Sequence, residues 1–324
     1  MTAATLKPRR FALAADDKPI VIASAFIVVL LMIGTGYTLA TQGTMTLLSP
    51  NYLLQQLQIG AFLGVVAAGM MLVILIGHID LSVAWTLAAA AMMATTVGGA
   101  WAIPTGLAVG LTVGVINGLG VAYLRVPSMI FTLGVNAVMR GLMVAHTGGF
   151  APQTAATDLM RFLAAERIAG IPMAIFVWLG VSMVIAIVLK RTVFGRTIYA
   201  IGNREAAAYL AGMHTRGVII TAFAACGMLA GLAGVLLAGY STKAYQGMGD
   251  AYVLPAIAAV VIGGTNILGG RGKYLGTVVG VILIVLLNSV LSIMQMPEAG
   301  RQIIYGVVII SMLLVYGRNQ RVTS

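Results

Sequence analysis

The sequence predicts an all-α, polytopic membrane protein: a bundle of about ten transmembrane helices with both termini in the cytoplasm. Three observations predict this fold class. Of the 324 residues, 60% are hydrophobic and 8% are charged, which leaves too little polar surface for a water-soluble domain. Apolar stretches of about 20 residues, long enough to cross a membrane, recur along the chain. The basic residues alternate between the connecting loops, as they do in polytopic membrane proteins.

We place the predicted spans, in order, at 19–41, 58–77, 82–98, 101–122, 127–147, 170–190, 217–239, 252–269, 275–295 and 300–317. They define one transmembrane domain over 19–317, between cytoplasmic tails at 1–18 and 318–324. The first apolar stretch is too long for the core of a cleaved signal peptide, so we expect it to be retained. Cys226 is the only cysteine, which excludes a disulfide within the chain.

Orientation follows from the 19 lysine and arginine residues. With the N-terminus in the cytoplasm, most of them fall in cytoplasmic loops and tails, which is the positive-inside pattern. The net charge of +11 is thus explained by topology, and we expect a lipid bilayer, not nucleic acid, as the partner. Arg140 falls within a span, about seven residues from its outer end, where it can snorkel to the headgroups.

The fourth span carries a glycine at every fourth position: Gly106, Gly110, Gly114 and Gly118. This spacing places the glycines on one helix face, where they form a groove that admits a neighbouring backbone. We therefore expect closely packed helices, and we prefer this interpretation to a hinge or a pore-lining face.

Polar residues and glycines interrupt the helical pattern at two places, "IGHIDLS" (76–82) and "IGGTNILGGRGK" (262–273). Unwound backbone at membrane depth is tolerated only where protein or a water-filled cavity satisfies its polar groups. Broken helices of this kind mark the binding sites of many transporters. The candidate pathway residues come from the two breaks and the fourth span: His78, Asp80, Ser82, Asn117 and Asn266. For Asp80 and Arg140 a structural role stays open.

The only sizeable external loop in the predicted topology, 148–169, contains "DLMRFLAAERI", with charges spaced like those of a surface helix. Its candidate docking residues are Asp158, Arg161, Glu166 and Arg167. Two interpretations stay open: a docking surface for a soluble partner, or a helix that lies along the lipid headgroups.

Several function classes lack the residues that they need. His78, His146 and His214 are scattered, so no transition-metal site is expected. Ser82 lies four residues after His78, yet no nucleophile turn accompanies it, so we expect no enzyme. No G-x-x-x-x-G-K-[ST] loop is present to hold a nucleotide. An ion-coupled secondary transporter of a small polar solute is the alternative, although the intramembrane ionisable groups that it would need are scarce.

A short helix is predicted within the cytoplasmic segment 191–216. Asn203 suits the N-cap position and Glu205 the positive end of the helix dipole, while Gly212 ends the helix. The small side chains between them leave the backbone accessible, as they would in a groove of another protein.

The stretch "GRTIYAIGNREAAAYLAGM" (195–213) resembles the cytoplasmic coupling segment of permeases from binding-protein-dependent ABC importers, which carries Glu-Ala-Ala followed by a glycine. Within that superfamily the chain is most similar to the monosaccharide branch, the ribose-, xylose- and galactofuranose-type permeases. The other matching motifs are "IDLSV" at 79–83, "NG" at 117–118 with "RVPS" at 125–128, "TLG" at 132–134 with Arg140 and Gly141, and "VVIGGT", "GGRG" and "GT" within 260–277. Together they cover nearly all of the chain.

The resemblance implies a protein of the cell inner membrane with three partners. A second permease subunit, identical or different, forms the pathway with this chain, and a soluble sugar-binding protein delivers the substrate outside. An ABC ATPase binds ATP and Mg inside, so no cofactor is expected in this chain. The residues implied to couple to the ATPase are Asn203, Arg204, Glu205, Ala206, Ala207 and Gly212.

The chain departs from the family pattern at two positions. The family commonly has Gly-Gly before "IDLS", whereas this chain has Gly77 and His78, whose imidazole adds a hydrogen-bond donor near the pathway. Ala211 stands where serine is frequent. The motifs predict a sugar as the substrate without naming it.

Overall fold

The computed structural model describes residues 17–297, 299–307 and 310–311. The predicted tail at 318–324, and all but the last two residues of the tail at 1–18, lie outside the described residues. The tenth predicted span lies partly outside them, although 299–307 is helical.

Besides the helical residues 299–307, the described residues form eleven α-helices, a two-stranded antiparallel sheet and two short 3-10 helices at Thr46–Leu48 and Gly99–Trp101. The helices are α1 Lys18–Gln42, α2 Pro50–Leu75, α3 Val83–Val97, α4 Ala102–Leu124, α5 Ser128–Thr147, α6 Asp158–Ala165, α7 Met173–Arg191, α8 Val193–Leu210, α9 Thr215–Ser241, α10 Asp250–Ile262 and α11 Tyr274–Ile293. The strands are β1 Arg167–Ile168 and β2 Ile171–Pro172.

Seven helices among the described residues are long and apolar enough to cross a membrane: α1, α2, α4 with its preceding 3-10 turn, α5, α7, α9 and α11. These agree with seven of the predicted spans. The helices found for two others are shorter than predicted. Helix α3 has 15 residues and α10 has 13, which gives lengths of about 22 and 20 Å at 1.5 Å per residue. Each is shorter than the roughly 30 Å hydrocarbon layer, so neither crosses it alone as a straight helix.

The span predicted at 58–77 begins eight residues earlier than expected, at Pro50. Ser49 caps the helix, because its hydroxyl accepts a hydrogen bond from the amide of Tyr52 at 3.3 Å, and proline suits the first helical turn. Gln58, the first residue of the predicted span, is buried, and its Nε2 donates to the Ala164 carbonyl at 2.8 Å.

Helix α2 lies at the centre of the bundle and is almost wholly buried from Gly60 to Leu75. The glycine face of α4 packs against the backbone of a neighbouring helix, as predicted, and the structure identifies that helix as α9. A Cβ added at Gly114 would lie 2.8 Å from the Cα of Ala224, and one added at Gly118 would lie 2.6 Å from the Cα of Ile220. Because only glycine leaves room for such an approach, the two backbones touch directly.

Helix α5 is much less covered than α2. Only Ser128, Thr132 and Met143 of its twenty residues are buried. Among the described residues, no atom lies within 4 Å of a Cβ added at Gly134 or Gly141. Helix α5 therefore leaves most of its surface uncovered within one chain.

Candidate functional site

The first helix break, between α2 and α3, is built around a buried carboxylate. Asp80 Oδ1 accepts hydrogen bonds from the Ser82 amide at 2.9 Å and the Ser82 hydroxyl at 2.7 Å. Asn117 Nδ2, from α4, donates to the Ser82 hydroxyl at 2.7 Å and lies 3.3 Å from Asp80 Oδ1. All three residues are at most 1% exposed. The carboxylate is satisfied inside the subunit at the start of α3, where the helix dipole favours negative charge.

Three side chains of α5 hold the rest of this break. The Ser128 hydroxyl accepts from the Ile79 amide at 3.3 Å, and the Thr132 hydroxyl accepts from the Leu81 amide at 3.0 Å. Asn136 Oδ1 accepts from the Trp85 amide at 3.2 Å. The amides that the unwound backbone leaves free are thus satisfied by a neighbouring helix, as membrane depth requires.

These three α5 residues were missed from sequence. Their signal is a spacing of four: Ser128, Thr132 and Asn136 share one face of a helix, and Arg140 continues the same row. The Arg140 guanidinium lies over the Trp85 ring, 5.8 Å from its centroid. This cation–π contact attaches the charge to α3, while the residue itself is exposed.

A cavity of about 860 Å³ lies between the first break and α8. Its lining includes Gly77 and His78 from the break, Ser128 from α5, and Glu205 and Tyr209 from α8. Two arginines, Arg125 after α4 and Arg216 in α9, also line it. Of the five candidate pathway residues, His78 lines this cavity, whereas Asp80, Ser82 and Asn117 lie behind it in the core.

The second break, between α10 and α11, uses Asn266 as a turn residue. Asn266 Oδ1 accepts from the Leu268 amide at 3.2 Å, and the Asn266 amide donates to the Arg271 carbonyl at 2.9 Å. Gly264, Gly269 and Gly270 all have positive φ here, a conformation that glycine adopts without strain. The side-chain oxygen of Asn266 is therefore engaged by its own loop.

Helix α8 contains the predicted coupling helix but begins ten residues earlier, at Val193, and is kinked at Arg204 (φ −164°, ψ 101°). The prediction that Asn203 caps the short helix is wrong. Asn203 Nδ2 donates to the Tyr199 carbonyl at 3.1 Å, so this side chain closes the helix before the kink. Arg204 has the extended backbone of an N-cap, and Glu205 follows in the first turn.

The short helix after the kink ends at a glycine. Gly212 has φ +80°, and its amide donates to the Tyr209 carbonyl at 2.9 Å. The Met213 amide donates to the Ala208 carbonyl at 3.1 Å. This pair of bonds is the Schellman motif, which places a left-handed residue at the position of Gly212.

The short helix carries two large apolar side chains that are exposed and were not predicted as site residues, one of which, Tyr209, also lines the cavity. Leu210 is 85% exposed and Tyr209 is 66% exposed. The six predicted coupling residues, Asn203, Arg204, Glu205, Ala206, Ala207 and Gly212, are also exposed. Two bulky apolar residues at the end of an alanine-rich helix outside the spans are the signal that could have revealed them.

The outer loop is attached to the bundle by the underside of α6. Met160 and Ala164 are fully buried, and a Cβ added at Gly239 of α9 would lie 2.6 Å from the Met160 carbonyl carbon. The exposed side carries an ion pair between Asp158 and Arg161 together with the apolar side chains of Leu159 and Phe162. All four predicted docking residues, Asp158, Arg161, Glu166 and Arg167, are exposed.

Within the described residues, no group of three or more His, Cys, Asp and Glu side chains is arranged to hold a metal ion. At the two breaks, Ser128, Thr132, Asn136 and Asn266 satisfy backbone amides, whereas Asn117 bonds to the side chains of Asp80 and Ser82.

Comparison with known proteins is consistent with a transport protein. Residues 52–313 match the family described as "Branched-chain amino acid transport system / permease component". The chain is 35% identical over 289 residues to the ribose import permease protein of Escherichia coli K12, which covers 84% of this chain and 89% of the relative. The ribose import permease protein of Bacillus subtilis is 34% identical, with 83% and 85% covered.

An autoinducer 2 import system permease protein from Yersinia pseudotuberculosis is 33% identical over 262 residues, which covers 78% of this chain and 73% of the relative. No solved structure matches the chain.

Proposed function

Because the chain belongs to this permease family, a family of transport proteins and not of enzymes, we propose that it is the membrane subunit of an ATP-driven sugar importer. In this proposal a binding protein outside the inner membrane delivers the sugar, and an ABC ATPase binds ATP and Mg in the cytoplasm. The similarity to ribose import permeases, over more than four fifths of the chain, favours a sugar over an amino acid.

The observation that carries the proposal is the exposed apolar pair on α8. Tyr209 and Leu210 lie outside the candidate spans, next to the exposed Ala206 and Ala207. Exposed apolar side chains that lie together on a polar surface are typical of a protein interaction site. We infer that the helix from Glu205 to Leu210 inserts into a groove of the ATPase, with Tyr209 and Leu210 as its anchors.

Helix α5 supports a pathway between two permease subunits. Its outer surface is uncovered and carries Arg140, while Gly134 and Gly141 leave room for close approach of another chain. Ionisable residues of membrane helices usually face a bundle interior or a water-filled cavity. A second copy, or a similar subunit, facing α5 would give Arg140 such a cavity.

The buried cluster of Asp80, Ser82 and Asn117 has a supporting role in this proposal. It fixes the shape of the first break from inside the subunit, and α5 holds the same break from the pathway side. His78 is the candidate with direct access to the cytoplasmic cavity. The exposed charges of α6 and the following hairpin form the proposed docking surface for the binding protein.

Co-purification with the subunits encoded beside this chain tests the proposal. We expect the isolated chain to hydrolyse no ATP and to recruit an ATPase with two nucleotide sites. Loaded binding protein should then stimulate hydrolysis by the complex. Uptake by the chain alone, driven by an ion gradient without ATP, would instead support the secondary transporter.

A further inference from the structure

Both helix breaks and α8 meet at a single backbone junction, formed by Leu75, Gly77, Gly202, Gly269 and Gly270. Helix α2 ends at Leu75, and its free carbonyl accepts a hydrogen bond from the Gly270 amide at 2.9 Å. A Cβ added at Gly202 of α8 would collide with that carbonyl and would lie 3.0 Å from the Cα of Gly270. One added at Gly269 would lie 2.8 Å from the Gly77 amide and 3.0 Å from the Cα of Gly202. Three backbone segments of the chain therefore touch with no side chain between them.

Tyr199, one turn before Gly202, provides a second attachment. Its hydroxyl donates to the Gly272 carbonyl of the second break at 2.9 Å. Burial raises the pKa of the Tyr199 phenol, so the hydroxyl keeps its proton at neutral pH and stays a donor. Tyr199 thus connects α8 to the second break, while Gly202 touches both breaks.

The junction lies between the proposed ATPase contact and the proposed pathway. Arg204 is the one residue between the helical turn that carries Gly202 and the helix that begins at Glu205. On the other side, the first break passes from Gly77 to the backbone amides that Ser128 and Thr132 of α5 hold. The connection from the coupling helix to α5 is therefore continuous, through contacts at van der Waals or hydrogen-bond distance.

We propose that Tyr199 and Gly202 are positioning residues that transmit displacement of the coupling helix to both helix breaks at once. Closely packed backbones leave little free space to absorb a shift, so movement of α8 displaces Leu75 and Gly270 together. Glycine is needed at 202 for this contact, because any Cβ would separate α8 from both breaks. This inference rests on the proposed function, since it assumes an ATPase acting on α8.

The test uses the complete complex, reconstituted with the ATPase and the binding protein, with Tyr199→Phe as the main variant. This change removes one hydroxyl and keeps the ring. We expect complex assembly and basal ATP hydrolysis to stay within twofold of the wild type. The melting temperature should stay within a few degrees of it. ATP hydrolysis stimulated by loaded binding protein, and sugar uptake, should each fall about fivefold, the factor that corresponds to about 1 kcal/mol for one hydrogen bond. Tyr37→Phe, near the C-terminal end of α1, is the matched control.

Gly202→Ala is the second variant. Gly180→Ala of α7 is its control, because no atom of the described part of the chain lies within 4 Å of a Cβ added there. The assembled Gly202→Ala complex should hydrolyse ATP with little uptake. Stimulated hydrolysis and uptake that stay within twofold in Tyr199→Phe would overturn the inference. The inference would also be overturned if uptake fell only in proportion to the amount of folded complex. If the wild-type complex itself fails to couple ATP to uptake, the proposed function falls first.

Discussion

Shortening Leu210 to alanine should weaken the attachment of the ATPase without harming the permease. Leu210 is 85% exposed and Tyr209 is 66% exposed, so neither contributes much to the core of the free subunit. Burial of a whole leucine side chain in a partner's groove is worth about 1.5–3 kcal/mol. Losing most of that contact corresponds to a roughly 10- to 100-fold increase in the dissociation constant.

The assay is the binding of purified ATPase to the permease in lipid nanodiscs, measured as a dissociation constant. Leu179→Ala is the matched control, because Leu179 is 64% exposed on the spanning helix α7 and the same atoms are removed there. The control should bind the ATPase as the wild type does. Equal binding by Leu210→Ala and wild type, with both folded, would refute the inference that this side chain anchors the contact.

Three other changes address the remaining parts of the structure. Asp80→Asn keeps an oxygen acceptor for Ser82 but removes the charge beside the start of α3. The free energy of unfolding should therefore fall by about 1–3 kcal/mol. An unchanged melting temperature in detergent would contradict the structural role of Asp80. Gly212→Val places a β-branched residue at φ +80°, which should distort the end of the coupling helix and abolish ATPase co-purification at normal membrane abundance; Gly217→Val, in α9, is the control. Glu166→Lys should reduce stimulation by the binding protein most strongly at low salt, because exposed charges act mainly on association and are screened; a salt profile identical to that of the wild type would favour the lipid headgroup interpretation of this loop.

Hydropathy was sufficient to predict the long helices, because their buried and lipid-facing sides are equally apolar. The two breaks were also predictable, since glycines with polar neighbours such as Asp80 and Asn266 rarely continue a membrane helix. The boundaries of the shorter helices were not. Helix α10 ends at Ile262 because the break begins there, and the apolar residues that follow in the loop had extended the predicted span to 269.

The close packing of α4 against a neighbouring helix was predictable from the glycine spacing alone, whereas the identity of that helix as α9 was not. The early start of α2 at Pro50 was not predictable, and neither was the contact between Gln58 and the Ala164 carbonyl of α6. The partner comes from a segment more than a hundred residues away. A single sequence gives no local signal for such a contact.

Among the candidate site residues, too, those with a local sequence signal were predictable and those that depend on a distant partner were not. Gly212 was identified correctly as the end of the short helix after the kink, since a glycine that follows an alanine-rich stretch is a local signal. The role assigned to Asn203 was wrong, because the extended residue is Arg204 and the Asn203 side chain bonds backwards to Tyr199. The row of Ser128, Thr132 and Asn136 was visible in the spacing, but its role became clear only when its partners, the amides of the first break and of the first turn of α3, were placed beside it.

The central claim is that ATP hydrolysed by a partner drives a sugar through this chain. The direct test is sugar uptake into proteoliposomes that contain the permease and its ATPase, with ATP enclosed at the ATPase side and binding protein on the other. The account predicts uptake against a gradient that requires ATP and loaded binding protein, and that is lost when the ATPase is omitted. Uptake that persists without ATP, or that follows an imposed ion gradient, would contradict it.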